Sequence, residues 1–273
     1  MTDRWPGCSS ISFRHLGLAE ALAVIAECGF TEIDLGALPG VCDHVQYELT
    51  ETAVTEVVAT VRASGLAVRS VNGDVGDLNR VLDERETEQR AAHLDRLLDL
   101  TAGCDARALV LPCGAQSPDP VTGLEADLDR VAAELARAAE RAREHDLEIW
   151  VEAPHFFRLC GDVDRAARLV ERLDPAIGLV LDTSHIAASG SSPAAFARRF
   201  ADRITHVHLR DATPGGINHS IGNGIVDFPA TFAALREIGY RGGCALELET
   251  RDVTDAERPA AAVKAADYIA SLR

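Results

Sequence analysis

Residues 178–211 read GLVLDTSHIAASGSSPAAFARRFADRITHVHLRD, and the fold can be worked out from this stretch. A β-prone run, Gly178 to Leu181, ends on Asp182. A polar link then leads to Ser192-Pro193, an N-cap followed by proline in the first helical turn. Apolar positions recur with helical spacing from Ala194 to Phe200, and a second β-prone run, Ile204 to Leu209, closes the unit. A strand, a crossing helix and a second strand imply parallel pairing, because the helix returns the chain to the starting edge.

The alternation continues in both directions. Further β-prone runs are Ser9 to Phe13, Glu32 to Leu35, Ala67 to Val71, Ala108 to Leu111, Glu148 to Glu152 and Cys244 to Leu248. Between them lie stripes of apolar residues at i, i+3, i+4 and i+7: Leu18 to Ile25, Val54 to Val61, Leu94 to Thr101, Leu124 to Leu135, Val163 to Val170, Phe232 to Ile238 and Ala260 to Ile269. Phe228-Pro229 places a proline early in the seventh helix. Eight strands alternating with eight helices predict an α/β fold, a single (β/α)8 TIM barrel over residues 1–273, near the roughly 250 residues usual for that fold. No Gly-x-Gly-x-x-Gly follows the first run, which argues against a dinucleotide-binding sheet. The long irregular stretches, Gly36 to Glu48 and Ala212 to Asp227, both fall on strand-to-helix connections. In a barrel these build the active-site face, so a substrate lid is expected there.

Composition narrows the function. Asp and Glu number 43 against 27 Lys and Arg, a net charge of −16 that repels phosphate backbones and anionic lipid, so neither nucleic acid nor a membrane is the expected partner. The start, Met1 to Pro6, has no apolar core of a signal peptide, and no stretch approaches the ~20 apolar residues of a membrane span. Seven cysteines without a Cys-x-x-Cys pair fit neither a disulfide framework nor a structural zinc site. Reduced thiols in a cytoplasmic protein are the expectation, with Cys113 read as a buried, inert thiol.

Chemistry gathers at the ends of the last four strands. Ile149-Trp150-Val151 runs into Glu152; Leu179-Val180-Leu181 into Asp182, with Thr183-Ser184-His185 behind it; Val207 is flanked by His206 and His208, with Arg210-Asp211 following; and Ala245-Leu246 runs into Glu247, then Leu248-Glu249. A charge ending a buried strand is costly unless paired or bound to metal. One such carboxylate also serves as a helix cap or an arginine partner, and one strand histidine as a hydrogen-bonded core residue. Three carboxylates and an imidazole at one barrel mouth are hard to explain as caps and point to a divalent ion. An oxygen-rich set with one imidazole suits Mn²⁺ first, then Mg²⁺, Co²⁺ or Zn²⁺. Asp34, Asn72, His15 and His155 are further candidates, for each of which a loop hydrogen bond or cap is an equal reading.

The segments Val151-Glu152, Asp182-Thr183-Ser184-His185, His206-Val207-His208-Leu209-Arg210-Asp211, Gly222-Asn223-Gly224-Ile225-Val226-Asp227-Phe228 and Gly239-Tyr240-Arg241-Gly242 before Glu247 resemble the xylose isomerase-like barrel superfamily, in its sugar phosphate isomerase/epimerase group. The resemblance spans nearly the whole chain. It implies metal ligation by Glu152, Asp182, His208 and Glu247, with Glu152 and Glu247 also exchanging the proton of a ketose or keto-cyclitol through a metal-stabilised enediolate. It further implies that His185 and Arg210 hold substrate oxygens; His15, at an early strand end, is a further expected substrate contact. The family pattern selects His208 over His206, which is expected below it, and Glu247 over Glu249. A lyase such as an inosose dehydratase is the alternative outcome at the same site, and a non-catalytic sugar-binding module a third reading. The repair endonucleases of this superfamily use additional histidines, where this chain has Pro112-Cys113-Gly114 and Gly216-Ile217-Asn218-His219-Ser220. A homo-oligomer is compatible with all these readings.

Overall fold

The computed structural model describes residues 5–273; Met1 to Arg4, on which part of the reading of the N-terminus rests, lie outside the described residues. Eight parallel strands close into a barrel. They are β1 (Gly7–Ser9), β2 (Glu32–Ala37), β3 (Ala67–Gly73), β4 (Ala108–Pro112), β5 (Glu148–Glu152), β6 (Gly178–Asp182), β7 (Ile204–Leu209) and, after an intervening hairpin, β10 (Gly243–Leu246). Around the ring they run β1-β10-β7-β6-β5-β4-β3-β2. This is a TIM barrel, as expected.

Helices α1 (Leu18–Glu27), α2 (Glu51–Ser64), α3 (Glu84–Gly103), α4 (Leu124–Arg143), α5 (Val163–Val170), α7 (Pro193–Arg199), α8 (Phe228–Glu237) and α9 (Arg258–Ala270) wrap the outside. Two start where the sequence marks them, at Ser192-Pro193 and Phe228-Pro229, and others are capped in the same way. The side chains of Thr50, Asp83, Asp162, Ser192 and Asp227 each accept a backbone N–H of the first turn, satisfying donors that would otherwise be orphaned. A six-residue helix, α6 (Thr183–Ala188), follows β6 directly, and the chain after β7 folds back as an antiparallel pair, β8 (Asp211–Thr213) and β9 (Gly216–His219). The alternation of strand and helix signals neither insertion.

The first strand corrects the sequence reading. Instead of Ser9 to Phe13 it covers Gly7–Ser9, and Ser10–Phe13 form a 3₁₀ turn. The serine hydroxyls explain the early end. Ser10 Oγ accepts from Gly36 N, while Ser12 Oγ accepts from Leu248 N and donates to Leu246 O, so side chains occupy the neighbouring backbone groups that a longer β1 would have bonded. For the same reason the eighth barrel strand stops at Leu246 rather than Leu248.

Period-two alternation sorts the strands into two faces. Ile33, Leu35, Leu109, Leu111, Ile149, Val151, Leu179, Leu181, Val207 and Leu209 belong to the large core beneath the helices. The opposite face turns into the barrel, where Ala108, Val110, Trp150 and Val180 pack as a separate plug. Trp150 fits because its neighbour is Gly178: a Cβ there would stand 2.7 Å from Trp150 Cδ1. One pleat above the plug, the same inward face carries Glu152, Asp182, His208 and Glu247.

Candidate metal centre

Strand phase decides which polar residues meet. Glu152 pairs in register with Val180, and Asp182 with His208, so the four strand ends arrive at one level. Glu247 lies one residue beyond β10, its amide still donating to Leu209 O. Glu152, Asp182, His208 and Glu247 each offer one ligand atom within a group spanning 4.8 Å, and all four are buried. His208 Nδ1 stands 3.2 Å from Glu152 Oε1 and 3.7 Å from Glu247 Oε2. Arg210 Nη2 lies 3.6 Å from both Asp182 Oδ2 and Glu247 Oε2.

Such crowding distorts proton affinities. Burial, aggravated by Glu152 and Asp182, outweighs the pull of His208 and Arg210 and pushes Glu247 up to about 8. At Asp182 burial acts the same way, but His185, Arg210 and His208, with the Ser184 hydroxyl, outweigh it and hold the carboxyl below the usual range. Burial opposes charge on His208, yet Glu247, Asp34 and Glu152 hold it well above an ordinary imidazole. The metal-free cluster therefore keeps protons that compensate its carboxylates.

A divalent ion fits this donor set. Asp182 Oδ1 is saturated by Ser184 N, Ser184 Oγ and His185 N, whereas Oδ2 is buried without a hydrogen-bond partner among the described residues. An orphaned buried carboxylate oxygen in a native fold calls for an ion or a water. Three carboxylates and one imidazole with no thiolate supply hard ligands and one borderline ligand, the preference of Mn²⁺ or Mg²⁺ with zinc tolerated.

Glu152 and Glu247 of the cluster line a cavity of about 300 Å³, whose polar wall also includes Asn72, Asp74, His155, His185, Arg210 and Asn218, while Asp182 and His208 are fully buried. Asn72 Nδ2 reaches Glu247 Oε1 at 3.4 Å. His185 accepts from Phe156 N at Nδ1, 3.0 Å, which leaves the ring proton on Nε2. There its neighbour is Arg210 Nη2 at 3.4 Å, a group that cannot accept. The His155 ring lies over His185 with centroids 3.7 Å apart, and its Nε2 is 4.0 Å from Glu152 Oε2. Burial, the adjoining His185 ring and the charges of Arg158 and Arg210 keep His155 well below an ordinary imidazole, so it is a neutral ring.

Other candidates lie outside the cluster. His15 stays outside this cavity, its Nδ1 3.8 Å from Asp255. Glu249 does not join the cluster; it pairs with Arg14 at 2.7 Å and Arg210 at 3.4 Å. His206 lies beneath His208, stacked on Trp150 and 2.7 Å from Asp34. Cys113 is fully buried, its thiol donating weakly to Cys160 O. Asp211, the last residue of the His-Val-His-Leu-Arg-Asp segment, is structural: its two oxygens accept from Ala212, Gly222, Gly224 and Val226 amides and so tie down the following loop. Gly224 must be glycine, because a Cβ would stand 2.2 Å from Ala212 O.

The sequence reading missed the Arg158–Asp74 ion pair, 2.8 Å long and joining two residues 84 positions apart across the mouth. Asp74 follows β3 directly, a position that could have drawn attention; Arg158 sits in a loop with no local signal.

Comparison with known proteins agrees with the architecture. Residues 22–272 match the family described as Xylose isomerase-like TIM barrel. An inosose dehydratase of Lacticaseibacillus casei is 29% identical over 160 residues, 52% of this chain and 53% of that protein, so the chain spans about half the length of the curated relatives it matches. Among solved structures, the IolI protein with a bound zinc atom superposes with a TM-score of 0.78 at 16% identity, covering 97% of both chains. An L-ribulose 3-epimerase superposes with a TM-score of 0.78 at 20% identity, covering 99% of this chain and 94% of that one.

Proposed function

The chain belongs to the xylose isomerase-like TIM barrel family, and on that footing we propose that it is a divalent-metal-dependent isomerase or epimerase of a ketose or keto-cyclitol. The observation that carries the reading is the buried convergence of Glu152, Asp182, His208 and Glu247, with Glu152 and Glu247 facing a cavity sized for a monosaccharide. In this reading those four residues hold the ion, Mn²⁺ by preference. When bound, the ion would polarise a ketone and its neighbouring hydroxyl and carry the negative charge that appears when the C–H between them is broken.

Glu152 and Glu247 are the proton carriers. They flank His208 on separate strands, so one carboxylate can take a proton from one face of the substrate carbon while the other returns it on the opposite face. His185 donates from Nε2 to a substrate oxygen, since the neighbour of that nitrogen among the described residues is Arg210 Nη2, which cannot accept. Arg210 supplies fixed positive charge where oxygen charge grows. Asn72 steadies Glu247, and the neutral His155 ring packs against His185 and limits its rotation. The seven cysteines form no disulfide with one another, which suits the reducing cytoplasm.

Water elimination is the second reading, favoured by the inosose dehydratases among the relatives. Both begin with removal of the same α-hydrogen and differ in whether a hydroxyl then leaves. The test is a panel of ketoses and inososes incubated with Mn²⁺-loaded enzyme in deuterated water. Deuterium at an inverted or migrated centre, without loss of water, is expected. Loss of water would establish the second reading, and no exchange by the metal-loaded enzyme would overturn both.

A further inference from the structure

Below the four proposed ligands the barrel buries a carboxylate that the proton chemistry does not use. Asp34, on the inward face of β2, is 0% exposed. Its Oδ1 accepts from Ser70 Oγ at 2.8 Å, and its Oδ2 lies 2.7 Å from His206 Nε2 and 3.5 Å from His208 Nε2. One carboxylate oxygen thus faces two imidazoles, each on the same nitrogen. The group is not a second ion site, because 2.7 Å between Asp34 and His206 is a hydrogen bond and leaves no space for a cation between them.

We propose that Asp34 is a positioning residue for the metal centre: it selects the tautomer of His208 that presents a lone pair at Nδ1. The inference rests on the reading of His208 as a ligand. Nδ1 is the nitrogen facing Glu152 and Glu247, so it is the one that must be unprotonated to bind an ion. The ring proton then has to stand on Nε2, which is buried with no hydrogen-bond partner within normal range. Asp34 Oδ2 is the carboxylate oxygen that faces it, at 3.5 Å. Small rotation of the imidazole on binding an ion at Nδ1 would close the 3.5 Å gap to a charge-assisted hydrogen bond, the carboxylate–histidine–metal arrangement that raises ligand basicity and fixes ring orientation.

Asp34 is itself held for the task. Ser70, on the adjacent strand β3, anchors one oxygen. His206 approaches the other from β7, with its ring stacked on Trp150 at 5.3 Å between centroids and 26° between planes. An ionised carboxylate accepts only, so it imposes Nε2–H on both rings. An amide at this position offers an acceptor and a donor and imposes neither.

The test compares Mn²⁺ affinity, by chelator competition, in the wild type, Asp34→Asn, Ser70→Ala, Asp182→Ala and His208→Ala. Asp34→Asn should bind on the order of 10- to 100-fold more weakly, with a smaller loss in Ser70→Ala. Affinity unchanged in Asp182→Ala and His208→Ala would sink the underlying ligand assignment. Affinity lost in those two but unchanged in Asp34→Asn would sink the role of Asp34 alone. A second readout needs no variant to fold: imidazole ¹⁵N spectra of the Zn²⁺-loaded wild type should show His208 protonated at Nε2 and metallated at Nδ1. The reverse assignment overturns the proposal.

Discussion

If the centre binds a divalent ion as proposed, binding must expel protons, and the structure sets how steeply affinity should depend on pH. Glu247, pushed up to about 8 by burial, is mostly protonated at pH 6 and half ionised at pH 8. A ligand carboxylate must be ionised, so at pH 6 its proton is removed against two pH units, about 2.7 kcal/mol at roughly 1.36 kcal/mol per unit. From Glu247 alone, apparent affinity should therefore fall roughly 50- to 100-fold between pH 8 and pH 6. His208, held well above an ordinary imidazole by Glu247, Asp34 and Glu152, adds to the same slope, because Nδ1 must also be vacated. The assay is titration calorimetry with Mn²⁺ at pH 6, 7 and 8, each in two buffers of different ionisation enthalpy, which counts protons released. Glu247→Gln should bind more weakly at pH 8 yet lose the part of the pH dependence that belongs to Glu247. Affinity independent of pH, with no proton released, would refute the electrostatic account of the cluster.

The same shift has a consequence for stability. A carboxyl raised from 4.5 to about 8 on folding stabilises the metal-free protein fully below pH 4.5, and that contribution is lost as pH rises toward 8. The gain in melting temperature on adding Mn²⁺ at a fixed multiple of its dissociation constant reflects about 2.7 kcal/mol at a hundredfold excess; at one fixed Mn²⁺ concentration it should be larger at pH 8 than at pH 5.5, and a reversed order in thermal scans would contradict the assignment. Glu152→Gln and Glu247→Gln should each lose on the order of 10²- to 10⁴-fold in turnover while still binding the ion, measured by single-substrate kinetics with metal content checked; normal turnover in both would end the two-carboxylate mechanism. Gly224→Ala should cost about 1–3 kcal/mol in denaturant unfolding, as for an overpacked interior, because its Cβ would meet Ala212 O and Asp211 Oδ1. An unperturbed Gly224→Ala would mean that the loop yields freely.

The barrel was legible because parallel strands buried on both faces read as short apolar runs, and runs that end on a charge announce a mouth. Glu152, Asp182 and His208 lie where strands β5 to β7 end, and the pleat alone turns them inward. Strand β1 was misplaced for a reason invisible to propensity: Ser10 and Ser12 spend their hydroxyls on β2 and β10, a partnership formed only after closure. The partners of His15 and Glu249 were not legible either, since the direction of a loop side chain depends on groups such as Asp255 and Arg14 from distant parts of the chain, although the family pattern selects Glu247 over Glu249 for the cluster. Asp34 could be seen as polar in an apolar run, but its meaning required His206 and His208 from 172 positions or more away.

The plug of Ala108, Val110, Trp150 and Val180 turns the barrel into a vessel with one opening. Trp150, 1% exposed and wedged against Gly178, is the bulk of that stopper among the described residues. An ion held above that stopper would have to arrive and depart by the same throat as the sugar. Occupancy of the throat would then act as a cork: stripping of the ion by a chelator should slow in proportion to the fraction of enzyme carrying a non-reacting substrate analogue. Stripping at one rate with the throat empty or filled would reveal a second way out. Loading order follows from the same geometry, ion first and sugar after, so that enzyme mixed with excess sugar before the ion should show a lag that ion-first mixing does not.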